Sequence, residues 1–299
     1  ARGLITLNEK SGCKIQGLQI DGNRATYTDL NYNYGIYLYS SSDNTITGNT
    51  CNNNSNSGIY LYASYDNTVT GNTCNNNQYS GIHLYSSSDN TVTGNTCNND
   101  NNVGIYLYTS SNNTVTGNTC NNNSRSGISL YVSRNSTVTG NTCNNNNYGI
   151  WLQDSDNNTI TGNTCTTTTT INPNNNYGIY LSDSNNNTIT GNTCINNKFG
   201  IYLYASSNDN TIAGNTCITN TSYGIYLYVS SNNTVTGNVC NNNNHGIGLI
   251  ISSNNNTITG NTCNNNNKTG IYLSDSNNNT ITGNTCIRGT GTPEDYTTD

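Results

Sequence analysis

Gly35-Ile36-Tyr37-Leu38-Tyr39-Ser40-Ser41-Ser42-Asp43-Asn44-Thr45-Ile46-Thr47-Gly48-Asn49-Thr50-Cys51-Asn52-Asn53-Asn54 is the stretch that decides the fold. Apolar and polar residues alternate in it. Ile36 and Leu38 flank Tyr37, Ile46 lies between Thr45 and Thr47, and Cys51 follows Thr50. A period of two places successive side chains on opposite faces of a strand. The strand-like pieces are short and are parted by Gly, Asn and Ser, the residues of turns. No part of the chain carries an apolar stripe at helical spacing, so no substantial helix is expected.

The same pattern returns along the chain. Its cysteines mark the period: Cys51, Cys74, Cys97, Cys120, Cys143, Cys165, Cys194, Cys217, Cys240, Cys263 and Cys286 are 23 residues apart, except for one spacing of 22 and one of 29. Short strands at one fixed period predict a solenoid in which each repeat is a coil and like residues stack in columns. The fold class expected is therefore all-β, a single-stranded right-handed parallel β-helix of about 12 coils of about 23 residues. Residues 1–34 would form the first coil and N-terminal edge, 35–288 eleven regular coils, and 289–299 a tail. The Ile36, Leu38, Ile46 and Cys51 positions point inward. Columns headed by Asn44 and Asn49 occupy corners, where Asn can adopt left-handed geometry and its amide can bond to the same amide above and below. In the first coil Ile15 aligns with Ile46 and Ile20 takes the Cys51 place, so the Cys column is a core position. Cys13 falls opposite Asn44. Insertions at 24–31 and 166–176, and the extra Asp209, fall at corners.

Composition bounds the function. Charged residues are 8% of the chain and the net charge is −6, so no basic surface is available for a nucleic-acid partner. No apolar run reaches the ~18 residues of a membrane span. The chain opens on Ala1, which fits a processed, exported protein, as does a low-charge chain with 12 Cys.

The Asn-x-[Ile/Val]-x-x-Asn-x-[Ile/Val/Cys]-x-x-Asn repeats resemble those of NosD-type and carbohydrate-binding/sugar-hydrolase domain proteins. The Tyr- and Asn-rich form with Gly-Asn-Thr-Cys is similar to surface, sheath-type β-helix proteins of methanogenic archaea. The resemblance covers residues 12–288 and implies a right-handed β-helix. Hydrolases and lyases of such families use Asp, Lys, Arg or His clusters on one face, and no such motif carries over to this sequence.

Four constellations are candidates for function. The Cys column reads as small buried hydrophobes, as inter-coil disulfides or as a metal ladder. Cys13, outside it, is a candidate intermolecular thiol. Two aromatic columns alternate with the core and point outward. One holds Tyr37, Tyr60, His83, Tyr106, Trp151, Tyr180, Tyr202, Tyr226 and Tyr272; the other holds Tyr39, Tyr62, Tyr85, Tyr108, Tyr131, Tyr204 and Tyr228. Such a strip suits an interface with protein or glycan, because Tyr is apolar in body and wet at its tip. Recurring Thr-x-Thr, as at Thr45 and Thr47, could form an ice-binding face or simply be β-branched surface. Asp154 and Asp183 fall in one column on adjacent coils, the arrangement of a carboxylate pair or of two turn residues. His83 and His245 form no pair. Asn112, Asn186, Asn232 and Asn278 head glycosylation sequons.

The expectation from sequence is a chain that is not an enzyme, with no catalytic, cofactor or metal site. It is expected to be extracellular or on the cell surface and to assemble with itself into a sheath, hoop or fibre. Uncapped coil ends would give head-to-tail contacts and Tyr columns lateral ones. A glycan-binding or glycan-processing β-helix and an ice-binding protein are the alternatives.

Overall fold

The computed structural model describes residues 3–24, 26, 33–168 and 176–288. The insertion at 169–175, most of the one at 24–31 and the tail at 289–299 lie outside them. Every regular element among the described residues is a short strand, and all the strand pairings are parallel and in register. The chain forms two compact units, Ala1–Asn147 and Tyr148–Asp299.

In the first unit the long sheet runs through Gly3–Asn8, Tyr34–Tyr39, Ile59–Tyr62, Ser80–Tyr85, Val103–Tyr108 and Ser126–Tyr131. A second sheet stacks the Thr-x-Thr strands from Lys14–Gln16 to Thr137–Thr139. The third side carries the Cys column. Ile20 pairs with Cys51 there, and Ile15 pairs with Ile46 on the second sheet, as the first-coil alignment requires. The second unit repeats the plan. Its long sheet runs through Tyr148–Gln153, Tyr177–Ser182, Phe199–Tyr204, Tyr223–Tyr228, His245–Ile250 and Thr269–Ser274. On its third side Cys165, Cys194 and Cys217 pair in sequence.

Each coil after the first has a small core of one Ile, one Leu, one Ile or Val and one Cys, and in the first Ile20 takes the Cys place. Ile36, Leu38, Ile46 and Cys51 are all fully buried. The glycine before the first Ile makes room for the thiol. A Cβ on Gly81 would stand 2.6 Å from the Cys97 Cβ and 2.8 Å from its Sγ. Gly and Cys are thus one packing unit, each filling what the other leaves.

The corners differ from the expectation in one respect. Asn44 and Asn49 do not take the left-handed conformation; the residues before them do, Asp43 at φ 56° and Gly48 at φ 61°. Ser40 and Asn53 do the same before Ser41 and Asn54. The left-handed residue turns the chain, and the next side chain points inward. There it bonds along the stack: Asn49 N and Nδ2 both donate to Asn72 Oδ1, at 2.9 and 3.0 Å. Asn72 Nδ2 also donates to Ile46 O of the coil before, at 2.9 Å. Most corner polar groups are buried and satisfied along the stack, which is why identical side chains recur there; Asn54 Oδ1 and Asp100 Oδ2 are exceptions. Two such ladders, of Ser (Ser41, Ser64, Ser87) and of Asn (Asn54, Asn77, Asn123), add to the Asn44 and Asn49 ladders read from sequence.

Candidate functional site

No disulfide joins the cysteines among the described residues. Ten of the column are buried, and Cys286 is exposed. Burial pushes the Cys74, Cys97, Cys120 and Cys240 thiols well above their ordinary range, so they stay protonated and unreactive at neutral pH. Cys13 stands half-buried, its N–H on Asn44 Oδ1 at 2.9 Å and its Sγ 3.6 Å from Ser11 O.

The long sheet carries the aromatic face. In the first unit Tyr39, Tyr62, Tyr85, Tyr108 and Tyr131 form one column of half-buried rings, with centroids 4.9–5.5 Å apart. The neighbouring column is more closed than alternation predicts. Tyr37 is only 4% exposed, beneath Tyr34 and Tyr60 at 5.5 and 5.4 Å. His83 is 8% exposed between Tyr60 and Tyr106, each at 4.9 Å. Burial lowers its pKa to about 3, so it is a neutral member of the ring stack. Tyr34 and Tyr79 stand at or just before the strand starts and thicken the face; sequence alternation did not assign them to it.

The second unit has a third aromatic column, also missed from sequence: Tyr148, Tyr177, Phe199, Tyr223 and His245, in register at the strand starts. It packs against Trp151, Tyr180, Tyr202 and Tyr226 of the first column. The signal was present as Tyr-Gly-Ile or Phe-Gly-Ile, but strict alternation assigns that residue to the core side. The glycine's own Cβ position faces the core, 2.7 Å from the Cys165 Cβ at Gly149, so alternation breaks there and the ring before it joins the outward rings. Tyr204 and Tyr228 stack at 5.6 Å in the second column, and Tyr272 stands 5.6 Å from His245.

Asp154 and Asp183 follow Gln153 and Ser182, which pair in register. Both aspartates are exposed left-handed turn residues, at φ 50° and 49°. Asn112, Asn186, Asn232 and Asn278 are exposed at the turn that precedes the corner Asn. On the second sheet the Thr161 and Thr190 hydroxyls meet along their column at 3.0 Å. His83 and His245 belong to different units. Among the described residues no helix is long and apolar enough to cross a membrane.

The right-handed beta helix region family matches residues 3–165 and 147–286, and the chain belongs to that family. No curated protein matches it in sequence. Solved structures share its fold. The A-module of a mannuronan C-5 epimerase from Azotobacter vinelandii has a TM-score of 0.58 at 15% identity, covering 97% of this chain and 83% of its own. The periplasmic alginate epimerase AlgG has a TM-score of 0.55 at 16% identity, covering 93% and 75%. A tailspike protein mutant of an E. coli bacteriophage, in complex with a pentasaccharide, has a TM-score of 0.55 at 14% identity, covering 96% and 60%. At these identities the likeness is one of fold. It overturns the expectation of a chain that is not an enzyme: epimerases stand among the proteins built on this β-helix, so neither the repeat nor the missing motif excludes catalysis.

Proposed function

We propose that the chain is a surface-exposed β-helix that binds or processes a glycan on the aromatic face of its long sheet. The observation that carries this reading is the array of partly exposed rings lying side by side within each unit, Tyr39 to Tyr131 in the first and Trp151 to Tyr228 in the second. Sugars pack their C–H faces on such rings, and tyrosine hydroxyls offer hydrogen bonds at the same surface. Two epimerases named for alginate or mannuronan and a tailspike holding a pentasaccharide support it by sharing the fold. The test is retention of the protein on a panel of immobilised polysaccharides, followed by analysis of any bound chain for altered sugars. Retention by at least one polysaccharide, weakened about tenfold or more by replacing Tyr62 and Tyr85 or Tyr202 and Tyr204 with Ala, is expected. No retention by any of them would overturn the reading.

A second reading uses the same face for copies of the chain, in a sheath, hoop or fibre with Cys13 linking chains. The in-register Tyr39 column, repeated over five coils, favours it by offering a regular lateral surface. Electron microscopy of native material with and without reductant would show filaments or sheets under this reading, and single particles under the first.

A further inference from the structure

The aromatic face of the second unit is interrupted at Gln153 and Ser182, and again at Gly248, Ile250 and Ser274. Where the second column should carry tyrosines, Gln153 pairs with Ser182, and Ser182 pairs with Tyr204. Tyr204 gives one ring face to Tyr228, parallel to it within 13° at 5.6 Å. On its other side the neighbour in register is only a serine, and Tyr204 is 38% exposed, more than any other ring of its column.

Tyr180 stands beside the gap, packed on Tyr148 and Tyr177 at 5.3 and 5.2 Å. It is turned 48° from Trp151 and 57° from Tyr202, and its ring lies within 27° of Tyr204, 6.3 Å away. Its hydroxyl is held toward Ser182. Tyr180 and Tyr204 therefore stand side by side at the gap. At their edge Asp154 and Asp183 are exposed, with Asp183 Oδ2 accepting the Ser182 hydroxyl at 3.0 Å.

The charge at this place selects the ligand. The cations of the unit's described residues are Lys198, Lys268 and Arg288. Lys198 is spent over the Phe199 ring at 5.4 Å, Lys268 stands by His245, and Arg288 lines the cavity beside Cys286. A uronate chain would meet the negative charge of both exposed carboxylates. A neutral pyranose presents an apolar C–H face to the rings and hydroxyl donors to the carboxylates and Gln153. An extended neutral polysaccharide running along the coil stack also advances by one sugar in nearly the distance that a parallel sheet advances by one strand, about 4.8 Å.

We infer that the gap at Gln153 and Ser182, walled by Tyr180 and Tyr204 and edged by Asp154 and Asp183, is a binding subsite for a neutral polysaccharide. The inference rests on the glycan reading of the aromatic face and names its place and ligand class.

Titration calorimetry of the full chain with neutral hexasaccharides (cello-, manno-, xylo- and chitohexaose) and with alginate hexasaccharide tests it. Ser182→Tyr is the decisive variant. It installs the residue that Tyr204 and Tyr228 already supply, so the coil should fold while the gap is filled. Binding of at least one neutral hexasaccharide, no measurable binding of alginate, and a loss of tenfold or more in Ser182→Tyr are expected. Asp154→Asn with Asp183→Asn should narrow the discrimination against alginate. Neutral binding unchanged in Ser182→Tyr would place the glycan elsewhere on the face, and a preference for alginate would refute the ligand class; either overturns this inference and leaves the wider reading standing. Binding of no hexasaccharide, with no retention on any polysaccharide, overturns both.

Discussion

Asp100 occupies a rung where its neighbours Asn77 and Asn123 carry amides. Its Oδ1 accepts from Asn77 N and Nδ2 at 2.7 and 3.0 Å, and its N–H donates to Asn123 Oδ1 at 2.9 Å. Oδ2 is buried and has no partner. The carboxyl faces the Cys74, Cys97 and Cys120 thiols, and Arg24 is the one cation that acts on it. Burial holds its pKa well above the carboxylate range, against the hydrogen bonds from Asn77. A proton on Oδ2 supplies the donor that an amide would have offered. The unfolded chain releases that proton near pH ~3.9, so the contribution is full below that pH and drains away as pH rises toward the folded value. Asp100→Asn should therefore raise stability little at pH 4 and by roughly 1–3 kcal/mol at pH 8, read from thermal unfolding. An equal shift at both pH values would refute the neutral-acid assignment.

A corner, at the scale of the element, is a pair: a left-handed residue and the inward polar residue after it. The ladder formed by the second member carries much of the coil-to-coil specificity. Asn95 accepts from Asn72 N and Nδ2 at 2.9 and 3.0 Å and donates to Val69 O at 2.9 Å and Asn118 Oδ1 at 3.0 Å. Asn95→Ala strands buried donors and acceptors in three coils and should cost about 2–4 kcal/mol in denaturant unfolding. Asn98 also links coils, through Asn75 and Asn121 at 2.8 and 2.7 Å, but it is only half-buried. Water can replace what it loses, so Asn98→Ala should cost about 1 kcal/mol or less. Similar costs at both sites would mean that burial does not set the worth of the ladder. The Asn49 column was legible because it is unbroken; the Ser41 column is unbroken too but reads as ordinary turn serine, and the Asn54 column is interrupted at Asp100.

For the molecule, the thiols divide by burial. Cys13 and Cys286 are reachable from solvent, and the other ten lie in the core as free thiols. An aromatic disulfide reagent should label the first two rapidly in native protein and the ten only on unfolding, without reductant being needed to reveal them. Rapid native labelling of the ten would contradict the packing of Cys against Gly. A shortfall in the total after unfolding would show disulfides within the column.

Strand positions, the parallel register and the core columns follow from the sequence by itself. In a stack of in-register coils, sequence spacing is spatial spacing, so Ile36 lies on Ile59 and Cys194 on Cys217 as soon as the period is counted. Alternation also tells which residues leave the core. It does not tell how far an outward side chain is covered, because that depends on rings from the coils above and below and on residues beyond the strand. Tyr34 closes over Tyr37, and Tyr148 and Tyr177 crowd Tyr180, through packing that no single repeat contains. The burial of His83, the column at Tyr148 and the open ring faces at Ser182 were therefore decided by tertiary structure, where the shape of one coil meets the substitutions of its neighbours.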